Sequence, residues 1–265
     1  MSYRTQTDMS RRTYLKLTGG ASAVGLTGVA GCLGDDDDLI TPGTAPGFPP
    51  FEMQEDGELI GFDIDLLEAV VAETEYELGE WATFDFDGLI PALTQNEEID
   101  VIAAAMTITA DRQETIAFSD PYWESDQAVL VRSDDDFQPS SWADFEGRPV
   151  GAQSGTTGAD QVQENLIDAG IIDEDDYSSY DNYVFAVEDL ENANIDGVVI
   201  DLPVAETFAA QRDVTVAFIE ETGEEFGFGL RQGEDDLQAA LNDGIAAVQD
   251  DGTYADITDT WFGQE

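Results

Sequence analysis

Apolar residues recur along this chain with a helical period in some stretches and as short continuous runs in others. In "GFDIDLLEAVVAETEYELG", Gly61 to Gly79, Ile64, Leu67 and Val71 fall at i, i+3 and i+7 with Leu66 and Val70 beside them. That spacing predicts an amphipathic helix with Asp63 as its N-cap. The scheme repeats in "FDGLIPALTQNEEIDVIAAAMTIT", a helix through Leu89 to Leu93 followed by a buried run, Val101 to Ala105. "RPVGAQSGTTGADQVQENLIDAG" reads as strand, glycine turn and helix, and "ANIDGVVIDLPVAETFAA" as buried strand and helix. Near the end, Leu237, Leu241, Ile245 and Val248 form one stripe of a further helix. Alternating strands and helices predict an α/β fold with mostly parallel sheets.

In such sheets ligands lie at the carboxyl ends of strands, beside the helix starts that follow. Three loops occupy such places. "TITADR" ends in Arg112, with Thr109 as the predicted N-cap, so Arg112 falls near the third helical position. A cation is unfavourable there by a few tenths of a kcal/mol. Two readings stand at this point: an anion held between the guanidinium and the free N–H groups of the turn, or an ion pair with Asp111, Glu114 or another acid. "SGTTG", Ser154 to Gly158, is a strand–turn–helix loop without the Gly-Lys-Ser/Thr ending of a phosphate loop, which argues against a nucleotide. Asp201 ends the apolar run Val198–Ile200 and needs a partner, either a bound ammonium or the N-terminus of the next helix. A carboxylate site and an ammonium site together describe one ligand class, the α-amino acids.

Composition changes the picture in two ways. The chain of 265 residues has 59 acidic and nine basic residues, a formal charge of −50, with no histidine and one cysteine. Disulfides within the chain and Cys/His zinc sites are excluded, and no basic patch exists to meet nucleic-acid phosphates. All but one of the acids lie beyond Cys32, where five arginines remain and no lysine. The acids are spread along the chain and repel one another in dilute salt. At molar salt the Debye length falls to roughly 3 Å and the repulsion is screened. The pattern is similar to that of halophilic proteins, and it sharpens the question of what each surviving arginine does.

The first residues read as an address. "SRRTYLK" resembles a twin-arginine export motif, and the run Leu17 to Gly31 is too short and too glycine-rich for a membrane span. "VAGC" resembles a lipobox, which would make Cys32 the lipidated first residue of the mature protein, followed by an acidic tether, 32–38.

Six stretches carry a resemblance over about Leu39 to Gly263: "GTAPGFPPFEM", "GFDIDLLEAV", "FDGLIPALTQNEEIDVIAAAMTITADRQETIAFSDPYW", "GAQSGTTG", "IDGVVIDLPVA" and "DGTYADITDTWFG". In content and order they resemble the polar amino-acid solute-binding proteins of ABC importers, which have the periplasmic-binding-protein type II fold. The resemblance implies a two-lobe α/β clamshell that closes on ligand. Lobe 1 would be 39–123 with 227–265 and lobe 2 would be 127–223, with hinges near 122–127 and 224–228. It implies that Arg112 grips the ligand carboxylate and that Asp201 takes the α-ammonium. Thr107 would add a hydroxyl or backbone contact, Ala105 a carbonyl, and Thr157 a backbone N–H. Phe48 and Phe86 would flank the ligand side chain, although phenylalanines are more often core. The acid that often reads basic side chains, two positions before "GFPPF", is missing at Ala45 or Pro46. Gln153 replaces a lysine of some relatives. These departures lean toward a neutral polar amino acid.

The implied protein is a monomeric, extracytoplasmic lipoprotein held at the membrane through Cys32. It would deliver an amino acid to permease subunits and would need no cofactor or metal. The alternatives are an enzyme on the same fold, of dehydratase or peptidoglycan-cleaving type, or a ligand-sensing receptor. The charge pattern carries its own prediction. In thermal melts by circular dichroism, the melting temperature should fall steeply as salt drops below roughly 0.5 M, because screening is lost; a flat curve would contradict halophilic adaptation.

Overall fold

The structure, a computed structural model, describes residues 38–263. The twin-arginine segment, Cys32 and the tether up to Asp37 lie outside the described residues. Two short pairings sit apart from the main sheets: β1 (Leu39–Ile40) with β5 (Glu77–Leu78), and the hairpin of β3 (Met53–Glu55) with β4 (Glu58–Ile60). The first five-stranded sheet contains β2 (Pro42–Thr44), β6 (Ala82–Thr83), β7 (Val101–Ile102), β8 (Ile116–Phe118) and β14 (Gly229–Arg231), in the order β6-β2-β7-β14-β8. The second contains β9 (Trp123–Arg132), β10 (Val150–Gln153), β11 (Tyr177–Tyr180), β12 (Gly197–Asp201) and β13 (Val214–Phe226), in the order β11-β10-β12-β9-β13.

Each sheet has the same internal logic. Its first three strands are parallel, the fourth is antiparallel to both neighbours, and the fifth therefore runs with the first three. The reversed strands, β9 and β14, are the ones that enter from the other sheet. The two connecting segments lie side by side, β9 pairing antiparallel with β13 from Trp123↔Phe226 through to Arg132↔Val214. This is a two-lobe α/β architecture.

Helices α1 (Phe62–Ala72), α2 (Leu89–Thr94), α3 (Ala110–Gln113), α4 (Thr157–Val162), α5 (Tyr183–Glu191), α6 (Leu202–Gln211), α7 (Asp235–Asp251) and α8 (Thr253–Phe262) complete the described chain. The stripe Leu237, Leu241, Ile245 and Val248 is buried, and so are Ile64, Leu66, Leu67, Val70 and Val71 of α1. A Cβ on Gly244 would lie 2.5 Å from the Val70 carbonyl oxygen, so α7 and α1 meet nearly backbone to backbone there. Trp123 stacks on Phe262 at 4.3 Å, and Trp261 Nε1 donates to Asp65 at 2.8 Å, which ties α8 to the start of the crossing segment.

Arginines staple both lobes in the same way. In one, Arg231 donates from Nη1 to the Ile99 carbonyl at 2.7 Å and from Nη2 to Asp100 at 2.6 Å. In the other, Arg132 donates to the Ile195 carbonyl and to Asp196, each at 2.6 Å. Each guanidinium sits on a reversed strand and holds the loop that leads into β7 or β12. Such charge-assisted forks are short and directional.

Some expected details differ. Gly61, at φ +147°, takes the N-cap position of α1 because a Cβ there would strike the Phe51 carbonyl oxygen at 2.1 Å; Asp63 lies inside the first turn. The C-terminal helix is split by Gly252 in the left-handed region. Only Val101–Ile102 of the apolar run forms strand, and Ala103 to Ala105 continue as buried irregular chain. Among the described residues no helix is long and apolar enough to cross a membrane.

Candidate functional site

The carboxyl ends of β2, β7, β10 and β12 face one cleft. Phe48, Phe86, Ala105, Thr107 and Arg112 line it from the first sheet's side, and Gln153, Thr157 and Asp201 from the second. All eight residues singled out from sequence therefore line a single cavity.

Arg112 gets there through a short element. Thr109 caps α3 by accepting from the Arg112 N–H at 3.2 Å, which puts Arg112 at the third helical position. The helix is one turn long, so its dipole is weak, and the side chain is positioned by direct contacts instead. Nη1 donates to the Thr107 carbonyl at 2.7 Å and Nη2 to the Gly155 carbonyl at 3.0 Å, and the guanidinium lies 5.3 Å from the Phe86 ring centre. The ion pair with Asp111 or Glu114 does not form. Among the described residues, Arg132, Arg148, Arg212 and Arg231 each pair with a carboxylate, and Arg112 alone does not. Its donors meet neutral carbonyls only, and burial pulls its pKa down.

Asp201 ends β12 and is 4% exposed. It occupies the N-cap position of α6, but its side chain makes no capping bond, and Oδ1 is enclosed without a hydrogen-bond partner. Helix capping thus fails to account for it. Desolvation raises its pKa, and the negative charge of Glu224 adds to the rise. Buried polar atoms are nearly always satisfied, so an orphan of this kind asks for a ligand.

The remaining predicted residues have more specific surroundings than sequence allowed. The Thr107 hydroxyl donates to Glu224 Oε2 at 2.9 Å, and the Thr157 hydroxyl donates to the same oxygen at 2.8 Å. Gln153 Nε2 donates to the Asp181 carbonyl at 3.0 Å. Phe48 packs on Tyr183 at 5.5 Å and is both core and cavity wall. Phe86 shares its face with the Arg112 guanidinium. Ala105 has φ +44°, a left-handed conformation that costs a residue with a Cβ about 1–2 kcal/mol. Asp63 holds it there, accepting the Ala105 N–H at 2.7 Å and the Tyr122 hydroxyl at 2.7 Å. Strain of this kind persists where surroundings over-determine it.

Three wall residues escaped the sequence reading: Ala104, Thr156 and Glu52. Thr156 caps α4, accepting from the Ala159 N–H at 3.2 Å, and its hydroxyl lies 3.0 Å from that of Tyr183. Glu52 is 1% exposed, and its Oε2 is enclosed without a partner. Burial raises its pKa well above the usual range, and the charges of Asp63 and Asp201 raise it further. It follows "PPF" directly, between Phe51 and Met53, but in a chain with acids spread along its length that position alone carried no signal.

The family described as bacterial extracellular solute-binding proteins, family 3, matches residues 40–264. A Campylobacter jejuni protein named a probable histidine-binding protein is 36% identical over 216 residues, 80% of this chain and 80% of its own. An Escherichia coli K12 protein named ABC transporter arginine-binding protein 1 is 32% identical over 232 residues, 85% of this chain and 91% of its own. A solved structure described as an ancestral arginine-binding protein bound to arginine matches with a TM-score of 0.78 at 35% identity, covering 85% of this chain and 99% of that one.

Asp63 generates a test of the site's electrostatics. Burial pushes its pKa from 3.8 up to about 7, so the folded protein holds this proton more tightly than the unfolded chain does. Its contribution to stability is full below the unfolded value and is lost as pH rises to about 7, at up to about 1.4 kcal/mol per pH unit for one proton. Glu52 and Asp201 act in the same direction. In molar salt, Asp63→Asn should shallow the decline in melting temperature between about pH 4 and pH 7; an unchanged slope would show that Asp63 is ionised throughout.

Proposed function

Because the chain belongs to family 3 of the bacterial extracellular solute-binding proteins and shares its type II clamshell fold, we propose that its cleft captures a free α-amino acid for an ABC importer. The observation that carries this reading is the pairing of opposites in one cavity: among the described residues, a guanidinium with no carboxylate and a buried acid, Asp201, with one oxygen left without a donor. Arg112 holds the ligand carboxylate, and the N–H of Thr157, at the first position of α4 and so without an intrahelical acceptor, adds a second donor. Asp201 takes the α-ammonium with the carbonyl of Ala105 beside it. Thr107 orients Arg112 through its carbonyl. Phe48, Phe86 and Gln153 form the walls around the side chain. The expectation of a neutral polar side chain rested on the missing acid at Ala45 or Pro46 and on Gln153; Glu52 in the wall weighs against it.

In the proposed cycle, 39–123 with 227–265 forms one lobe and 127–223 the other, and motion occurs near 122–127 and 224–228. Glu224 fits this assignment, since it lies in the crossing strand and accepts from a threonine of each lobe. The closed monomer would be recognised by permease subunits. The protein would reach the outer face through the twin-arginine segment and stay there through a lipid on Cys32, its acidic surface suited to concentrated salt. The enzyme alternative takes its one support from Glu52 and Asp201, two buried carboxyls that hold protons tightly; NMR of a bound amino acid after long incubation would reveal any conversion.

Two experiments follow. In isothermal titration calorimetry in multimolar salt, the wild type should bind at least one of the twenty amino acids one to one. Arg112→Ala should weaken that binding at least 100-fold, about 2.7 kcal/mol, with the melting curve retained; undiminished affinity would end the assignment. Cys32→Ser should move the protein from the membrane fraction to the medium, and a variant that stays membrane-bound would rule out the lipid anchor.

A further inference from the structure

An α-amino acid with a neutral side chain answers Arg112 and Asp201 and leaves Glu52 alone. Glu52 sits in the same wall, 1% exposed, with Oε2 enclosed and unpartnered. Its backbone is fixed: the Glu52 carbonyl accepts the Gly47 N–H at 3.1 Å and the Phe48 N–H at 3.0 Å, closing the turn that also aims the Phe48 ring into the cavity. The side chain that this turn carries is enclosed rather than turned to solvent. The charges that act on it most strongly are both negative, Asp63 and Asp201. Arg112 is held at the other side of the problem, its guanidinium drawn to Thr107, Gly155 and Phe86.

An unpaired buried carboxyl next to two others is costly, and removal of its partner typically costs several kcal/mol elsewhere in proteins. A ligand cation would relieve it. We propose that Glu52 is the specificity-determining residue of this cleft and that the ligand is an amino acid with a cationic side chain, a guanidinium, ammonium or imidazolium that meets Glu52 while the α-ammonium meets Asp201. The inference rests on the proposed amino-acid site and adds the side-chain class. Phe48 and Phe86 suit this ligand, since aromatic faces favour a flat cation between them as well as an apolar stem.

The test compares cations with neutral counterparts. Arginine, lysine, ornithine and histidine are titrated into the full chain at pH 7 in multimolar salt, against citrulline, glutamine and methionine. The strongest cation should bind at least tenfold more tightly than the strongest neutral ligand. Glu52→Gln should narrow the ratio between the strongest cation and the strongest neutral ligand to threefold or less, whatever it does to the affinity of either alone. A neutral amino acid that matches or exceeds every cation in the wild type would overturn the inference without any variant. So would a Glu52→Gln protein with its preference intact. If the wild type binds none of the seven or any other amino acid, the underlying amino-acid site has failed instead, and the two failures are distinct.

Discussion

A guanidinium without a carboxylate is the constraint on which this site depends. In a chain with 59 acids and no lysine beyond the first residues, every cation has many chances to pair, and four of the five described arginines do. Arg112 is kept from pairing by geometry. A one-turn helix sets its backbone, two carbonyls take two of its donors, and a phenylalanine ring covers part of its face. In the same cavity, Asp201 and Glu52 each bury one oxygen that finds no partner among the described residues. A cationic donor and two acid groups are thus set apart by the fold, and a ligand that bridges them gains electrostatic energy in surroundings poorer in water than the surface.

The architecture explains how the two halves of that arrangement come together. Arg112 and Asp201 belong to opposite sides of the cleft, and the contacts that span it include Phe48 packed on Tyr183 and several polar bonds. Arg112 reaches the Gly155 carbonyl, Ser154 donates to Asp87 at 2.9 Å, and the hydroxyls of Thr107 and Thr157 meet on Glu224. The paired crossing strands β9 and β13 give a continuous hydrogen-bonded connection along which motion between lobes is proposed.

Much of the fold was legible in sequence because burial imposes period. The stripes of α1 and α7 and the runs of β10 and β12 were all read from apolar spacing, and the loops that follow strands pointed to Thr107, Arg112, Thr157 and Asp201. What escaped depended on contacts distant in sequence. Whether Arg112 paired with an acid could not be decided from neighbours such as Asp111 and Glu114, since both readings fit the same string. Asp63 looked like a cap because its position suits one, yet it supports Ala105, 42 residues away. Glu52 was hidden for a different reason: in so acidic a chain one more glutamate carries no information until its burial is known. The matching arginine staples of Arg132 and Arg231 show the same limit, since the two segments share little beyond an Ile-Asp pair.

A crystal structure with a bound amino acid tests the central claim most directly. The account predicts the ligand carboxylate on the Arg112 guanidinium and its α-ammonium within hydrogen-bond distance of Asp201. A ligand bound in the reverse orientation, or elsewhere with Arg112 free of it, would contradict the account.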